Sequence, residues 1–386
     1  MQEKNNIYKK FQSFDNFKNV SNLNIKNIEE KIFSTYEKFK LKLPTYFHPK
    51  DTDLLEKIIS DLKSLKNSKT DFSLKPNSIA EINTFENIEI LKYLISRYKY
   101  EIYPVVKKLD SYPPLVQIEP SSICNFRCVF CFETDKSFTN KKNGFMGTMD
   151  LNIFKQIVDE IQGNVDFVTL ASRGEPLVAK SFSQMLDYCS EKFLILKINT
   201  NASLLTEDKC HAILSSGVKT IVFSADAADE KLYSKLRVNG DLKKTLANIR
   251  MFKMIKDKNY KTSKIITRVS GVKFNNEQKF TDMETLWGDL VDQVAFVDYN
   301  PWENCYEKEK NNIQEACSDL WRRMFIWWDG KINPCDVDYK SHLSPGKFPE
   351  ISIKDSWNSD LYNKIRNYHL NKKRNNFTPC KSCSVV

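Results

Sequence analysis

Cys124, Cys128 and Cys131 fall in one segment, Cys124-Asn125-Phe126-Arg127-Cys128-Val129-Phe130-Cys131. Thiols at these spacings reach three corners of a single cubane. Iron–sulfur clusters ordinarily take four cysteine ligands. A set of three therefore leaves one iron open to a small molecule, as the free coordination position does at a catalytic zinc. A zinc site short of a ligand and unrelated core thiols are the other readings of the triplet. A second set lies nearer the C-terminus: Cys317, then Gly330 and Cys335, then the pair Cys380 and Cys383. Four thiolates closing one site suit a structural zinc or a fully ligated [4Fe–4S] cluster, and spacing alone leaves both open. Cys189 and Cys210 fall in helical pattern and read as packed thiols. Cys305, in a loop near the second set, reads as a packed thiol or as a hydrogen-atom donor. His48, His211, His342 and His369 show no metal-ligand spacing.

The chain around these residues has 386 residues, of which 41% are hydrophobic and 12% aromatic. That is enough apolar material for a large core with appendages. The opening MQEKNNIYKK has no apolar core, so no signal peptide is expected. No stretch approaches ~18 uninterrupted apolar residues, so no membrane span is expected and the cytoplasm is the expected compartment. Ten cysteines there argue for metal binding or catalysis rather than disulfides. The net charge is +10. Lys364, Arg366, Lys372, Lys373, Arg374 and Lys381 make the end basic, with no Asp or Glu beyond 360. A solvated surface, or compensation for an anionic cluster, is favoured over a nucleic-acid site, because no stacked-aromatic or helix-turn-helix pattern accompanies the charge.

The elements that must position the cysteines follow from periodicity. Residues 1–110 read as mainly helical. Ile25, Ile28, Ile32, Tyr36 and Phe39 hold helical spacing, and Leu54, Leu55, Ile58, Ile59, Leu62 and Leu65 hold it behind Asp51 and Asp53. A polar connection over 66–76 and a helix over 85–99 follow. Strands are then expected at 115–119, 165–170, 193–198, 218–223, 265–272 and 291–297, with helices between them. Asp150, for example, caps a helix bearing Phe154, Ile157, Val158 and Ile161 on one face. Six β/α units in series predict an α/β fold with a parallel sheet, open or closed as a barrel. Ligands of such sheets sit beyond the carboxyl ends of the strands, so the residues just after each strand matter most.

The Cys-x3-Cys-x2-Cys segment, with aromatic Phe130 before its last cysteine, resembles the signature of the radical S-adenosylmethionine (radical SAM) superfamily. After the second strand, Ser172-Arg173-Gly174-Glu175-Pro176-Leu177 is similar to that family's Gly-Gly-Glu-Pro loop. After the third, Asn199-Thr200-Asn201-Ala202-Ser203-Leu204-Leu205-Thr206 is similar to its Thr-Asn-Gly-x-Leu-Leu segment. Ser224-Ala225-Asp226, Arg237 and Gly240 follow in order. Two departures stand out: Arg173 replaces the first glycine of Gly-Gly-Glu-Pro, and Ala202 replaces the glycine after Thr-Asn. Trp328-Asp329-Gly330-Lys331-Ile332-Asn333-Pro334-Cys335 resembles the start of a SPASM/twitch extension. The short ending resembles its twitch form, with one auxiliary cluster.

The resemblance implies a partial (β/α)6 barrel over 111–303, behind a helical extension over 1–110 and ahead of an auxiliary-cluster domain over 304–386. It implies a [4Fe–4S] cluster with an open iron on Cys124, Cys128 and Cys131, S-adenosylmethionine on that iron, and an auxiliary [4Fe–4S] cluster on Cys317, Cys335, Cys380 and Cys383. Phe130, Arg173 and Gly174 would lie at the cofactor. Glu175 would accept hydrogen bonds from its amine, Arg237 would pair with its carboxylate, and Ser224, Asp226 or Asn201 would bind the ribose. One-electron cleavage of the sulfonium yields a 5′-deoxyadenosyl radical. Arg268 and Glu119 are the residues expected to face substrate and serve as base, with Lys197, Tyr299 and Trp302 also on or beyond strands.

The expected reaction is dehydrogenation of a small polar metabolite, such as a sugar or aminocyclitol. It would draw electrons from a flavodoxin- or ferredoxin-type donor, with neither nucleic acid nor membrane as partner. Epimerisation through Cys305 and peptide modification are the alternatives, and the absence of an early strand pattern counts against the peptide. A non-catalytic two-cluster electron carrier or metal-stabilised binding module is the reading from another class.

Overall fold

The computed structural model describes residues 17–19, 23–64, 68, 71–300 and 305–386. The polar amino terminus, Leu65 and Trp302 lie outside them. Eleven strands are named in chain order: β1 Phe17–Asn19, β2 Leu115–Ile118, β3 Arg127–Cys128, β4 Phe167–Leu170, β5 Ile195–Thr200, β6 Thr220–Ser224, β7 Arg237–Val238, β8 Ile266–Lys273, β9 Gln293–Asp298, β10 Arg323–Ile326 and β11 Ile332–Asn333. Nine of these form one sheet in the order β1-β9-β8-β6-β5-β4-β2-β10-β11, and β3 pairs with β7 apart from it.

The six expected strands are β2, β4, β5, β6, β8 and β9, all parallel. Helices Leu151–Ile161, Phe182–Cys189, Glu207–Ser215, Leu242–Asn259 and Phe280–Gly288 connect them. This is the partial barrel. Asp150 caps its helix by accepting from the N–H groups of Asn152 (2.8 Å) and Ile153 (3.3 Å).

Three elements depart from the sequence expectation. The strand β10 adds in parallel to β2, opposite the growing edge of the barrel. The strand β1 pairs antiparallel with β9, so the region before residue 110 is not wholly helical. A helix at Pro76–Thr84 fills what read as connection and loop. Short strands like β1 and β10 offer too few residues for alternation to register, and neighbouring backbone decides them.

Strand alternation and register divide the barrel into two faces. Val116, Ile118, Val168, Leu170, Leu196, Ile198, Ile221, Phe223, Val269, Val294 and Phe296 point outward, into one apolar core with the connecting helices. The opposite face carries Gln117, Thr169, Lys197, Thr220 and, in adjoining register, Arg268 and Gln293. The lumen is therefore lined by polar groups, interspersed with Val222, Ile266 and Ala295. Its base is stopped by the N-terminal helices. Phe167 and Ile195, the first residues of β4 and β5, join the helical core that holds Tyr93 and Tyr100, and Tyr93 and Phe167 pack with ring centroids 5.8 Å apart. Glu81, Tyr93, Arg97 and Glu101 carry the buried polar bonds of that plug.

Candidate active site

The three-cysteine loop leaves the top of β2 and is held by three neighbouring loops. Cys128 pairs with Arg237 and Arg127 with Val238 in the β3–β7 ladder. The loop after β4 lies directly on it: a Cβ at Gly174 would come within 2.4 Å of the Ser122 carbonyl carbon and 2.6 Å of the Ser121 oxygen. Only glycine permits that approach. Glu175 N–H then donates to the Ile123 carbonyl at 3.0 Å. From the loop after β5, Asn201 Nδ2 donates to Asn125 Oδ1 at 2.9 Å, and Asn125 Nδ2 to Ser203 Oγ at 2.8 Å.

No cysteine is in a disulfide. Burial pushes the three loop thiols up: Cys124 to about 12, with Glu175 adding; Cys128 to about 11, against the pull of Arg237; and Cys131 well above its ordinary value. Such thiols keep their protons until iron displaces them.

Several residues expected at a cofactor are committed elsewhere. Glu175 Oε1 accepts from Thr200 Oγ1 (2.6 Å) and Leu177 N–H (3.1 Å), and Oε2 from Asn201 N–H (2.7 Å). It clamps two loops together and keeps one acceptor position on Oε2. Asn201 Oδ1 is taken by the N–H and hydroxyl of Ser203. Asp226 is fully buried, with one oxygen accepting from Val272 N–H (2.6 Å) and the other in an ion pair 2.5 Å from Arg237 Nε, a contact not aligned as a hydrogen bond. Neither Asn201 nor Asp226 is free for a ribose.

Arg173 does not reach a cofactor. Its guanidinium turns toward the floor of the loop, pairing with Glu119 at 2.6 and 2.9 Å, donating to the Tyr339 carbonyl at 2.8 Å and lying 4.2 Å from the Trp327 ring centroid. Glu119 also accepts from the N–H groups of Arg173 (3.0 Å) and Trp328 (3.1 Å). It is saturated and is not a base.

Arg268 donates twice to Gln293 Oε1 in the lower half of the barrel, and burial lowers it only to about 10, so it too is not a base at neutral pH. The nearby Lys197 is pushed to about 7 by burial and by Arg268. Tyr299 packs edge-on against Phe274. Cys305 is 1% exposed, with Sγ 3.5 Å from the Val337 carbonyl. Burial and the Cys383 thiol raise its pKa, and its carbonyl accepts from Ser382 Oγ, beside the second cysteine set.

Three expected residues keep positions suited to a ligand at the loop. Arg237 has Nη1 3.9 Å from Cys128 Sγ, Phe130 lies beneath it at 6.0 Å, and Ser224 ends β6 on the luminal face. Sequence reasoning missed Glu133. It is 2% exposed, and neither carboxylate oxygen has a hydrogen-bond partner, although Arg127 Nη1 stands 3.3 Å away. Burial pushes it to about 8, against the pull of Arg127. Its place two residues past Cys131 was the available signal.

Cys317, Cys335, Cys380 and Cys383 line one cavity, walled by Leu320, Val337, Leu343 and Val385. Gly330, at φ +85° with a Cβ position 2.5 Å from the Phe348 oxygen, makes the turn that delivers Cys335. Burial, with Arg374 and Lys107 adding, holds His369 on this cavity down at about 3, hence neutral. Among the described residues no three His, Cys, Asp or Glu side chains converge tightly enough to hold a single metal ion. Four thiols lining one cavity suit a polynuclear cluster. Arg366 and Arg374 are buried and bonded to carbonyls, so the basic C-terminal stretch is partly internal scaffolding.

The Radical SAM superfamily profile matches residues 118–284, and the SPASM profile, an iron-sulfur cluster-binding domain, matches 317–384. The chain carries a radical SAM domain followed by a SPASM iron–sulfur domain. Two relatives illustrate the radical SAM likeness. The tungsten-containing aldehyde ferredoxin oxidoreductase cofactor-modifying protein of Pyrococcus furiosus is 22% identical, over 69% of this chain and 86% of its own length. The AdoMet-dependent heme synthase of Methanosarcina barkeri is 23% identical, over 60% and 69%. The solved structure of Streptococcus suis SuiB bound to precursor peptide SuiA shares the fold, with a TM-score of 0.55 at 18% identity over 90% of this chain and 82% of that one. The radical SAM and SPASM domains bring S-adenosylmethionine, a radical SAM [4Fe–4S] cluster and an auxiliary [4Fe–4S] cluster as cofactors, which displaces zinc at the second set.

Proposed function

We propose that this radical SAM enzyme oxidises a hydroxyl-bearing carbon of a small polar metabolite, such as a sugar or aminocyclitol. The observation that carries the reading is the lumen: polar along Gln117, Thr169, Lys197 and Ser224, and stopped at its base by the N-terminal helices. A stopped polar chamber suits a small hydrophilic molecule. When bound, S-adenosylmethionine and the two clusters supply a hydrogen-abstracting radical and a one-electron acceptor.

The residues take the following parts. Cys124, Cys128 and Cys131 hold the catalytic cluster, and Cys317, Cys335, Cys380 and Cys383 the auxiliary one. Arg237 offers its remaining guanidinium N–H groups to the methionyl carboxylate. Phe130 and Ser224 border the nucleoside. Gly174, Glu175 and Asn201 set the loop. Glu133, a buried carboxyl group whose oxygens have no hydrogen-bond partner, receives the substrate hydroxyl. The barrel over 111–303 carries catalysis between the helical extension over 1–110 and the auxiliary domain over 304–386. A flavodoxin- or ferredoxin-type donor reduces it in the cytoplasm, where thiols stay reduced. No described helix is long and apolar enough to cross a membrane.

The test is anaerobic turnover of sugars and aminocyclitols deuterated at each carbinol carbon, followed by mass spectrometry. A product three mass units lighter than the substrate labelled at the oxidised carbon, with that deuterium in 5′-deoxyadenosine, is expected. Unlabelled substrate returned from deuterated water one mass unit heavier, with the deuterium at an inverted carbon, would mean epimerisation, which the burial of Cys305 disfavours. Turnover of a peptide alone would replace the metabolite with the kind of partner named for SuiB.

A further inference from the structure

The auxiliary cavity contains two N–H groups that have no acceptor. Cys317 N–H donates to His369 Nδ1 at 3.2 Å, which places the imidazole proton on Nε2. That Nε2 is buried with no hydrogen-bond partner. Arg374 is held on its other side. Its Nη1 donates to the carbonyls of Glu315 and Val385 (3.0 Å each) and its Nη2 to that of Cys383 (3.1 Å). Its Nε is buried and unpartnered as well. Both side chains are 1% exposed, and both line the cavity that the four thiols share.

A buried donor left without an acceptor is costly, and native structures rarely keep one. Two such donors around one cavity point to an acceptor inside it. The walls do not supply one: Leu320, Val337, Leu343 and Val385 are apolar. Asp319 also borders the cavity, but its carboxylate pairs with Arg323 Nε at 3.1 Å. The acceptor that fits is anionic sulfur, as cysteinyl thiolate or bridging sulfide, at the position the thiols define.

We propose that His369 Nε2–H and Arg374 Nε–H donate to sulfur of the auxiliary cluster and raise its reduction potential. Hydrogen bonds and positive charge stabilise the form carrying the extra electron, and such contacts are a principal means by which a protein tunes a cluster. His369 and Arg374 are thus positioning residues that act through the cluster. The inference rests on the auxiliary cluster but not on alcohol oxidation, and its readout needs no substrate.

The experiment uses the full chain with Cys124, Cys128 and Cys131 replaced by alanine, so that one cluster of about four irons remains. Its potential is read by electron paramagnetic resonance during an anaerobic redox titration. His369→Phe, which keeps the ring and removes the N–H, should lower the reduction equilibrium about tenfold, or about 59 mV for one electron. His369→Gln, which restores an N–H, should recover most of that shift. Arg374→Lys, which keeps the charge and withdraws the Nε–H, should shift the potential in the same direction as His369→Phe. Potentials unchanged in His369→Phe and Arg374→Lys, with the irons retained, would overturn the proposal. So would a shift in His369→Gln equal to that in His369→Phe, since packing alone would then explain both. Loss of iron in His369→Phe with retention in His369→Gln would support it, and loss in both would sink it.

Discussion

Replacing Arg173 by methionine should destabilise the protein by about 3–5 kcal/mol, the usual penalty for removing one partner of a buried ion pair. The side chains of Arg173 and Glu119 are 2% and 0% exposed and meet through two hydrogen bonds of 2.6 and 2.9 Å. Methionine fills much of the same space, so the main loss is compensation of the Glu119 charge, whose remaining donors are the N–H groups of Arg173 and Trp328. The Tyr339 carbonyl also loses its guanidinium donor, and Trp327 loses a stacked cation. The double variant Glu119→Gln/Arg173→Met removes the buried charge together with its partner. It should recover more than half of the loss, because a buried pair contributes little beyond compensating its own desolvation. Urea denaturation of the four proteins, wild type, the two singles and the double, gives the coupling energy. An Arg173→Met variant within about 1 kcal/mol of wild type, or a double variant no more stable than it, would refute the reasoning.

Two other consequences are direct. Gly174→Ala places a methyl within 2.4 Å of the Ser122 backbone, so the loop carrying Cys124 must shift. Iron analysis of reconstituted protein should show about half the iron lost and the auxiliary cluster kept, and full iron content would argue against the contact. Burial opposes ionisation of Asp110, yet Lys99 and Lys50 hold its pKa down at about 2. A depressed carboxylate stabilises the fold above its unfolded value near 3.8 and loses that contribution as the pH falls through about 2. Asp110→Asn should therefore be less stable than wild type at pH 6, with the gap closing toward pH 2; a constant gap would exclude the linkage.

The sequence by itself determined the cofactor chemistry and the barrel. Cysteine spacing is local, so three thiols within 124–131 declare a three-ligand loop before any folding is known. The six barrel strands carry outward faces apolar enough to show in composition, and β2, β4, β5, β6, β8 and β9 lie within a few residues of where the pattern put them. Turn chemistry was legible as well: Gly174 stands where the family has glycine, and Ala202, at φ +62°, takes the left-handed conformation of the glycine it replaces. Its carbonyl accepts from Asn248 Nδ2 at 2.8 Å, which helps to hold it there.

Only the tertiary structure decided which polar groups are still available to a ligand. Glu119, Arg173, Glu175, Asn201, Asp226 and Arg268 are all of a type that binds substrates, and all follow or lie in barrel strands. Each has its hydrogen-bonding or ion-pairing capacity taken up wholly or largely by a residue distant in sequence: Glu119 by Arg173, Glu175 by Asn201, Asp226 by Arg237 and Arg268 by Gln293. Glu133, His369 and Arg374 read as ordinary residues, yet each is buried with an atom left unsatisfied. Residue type and spacing state what a side chain is able to bind. Whether that capacity is already spent depends on partners brought together from across the chain, and the cost of burying an unmet polar group makes the remainder informative.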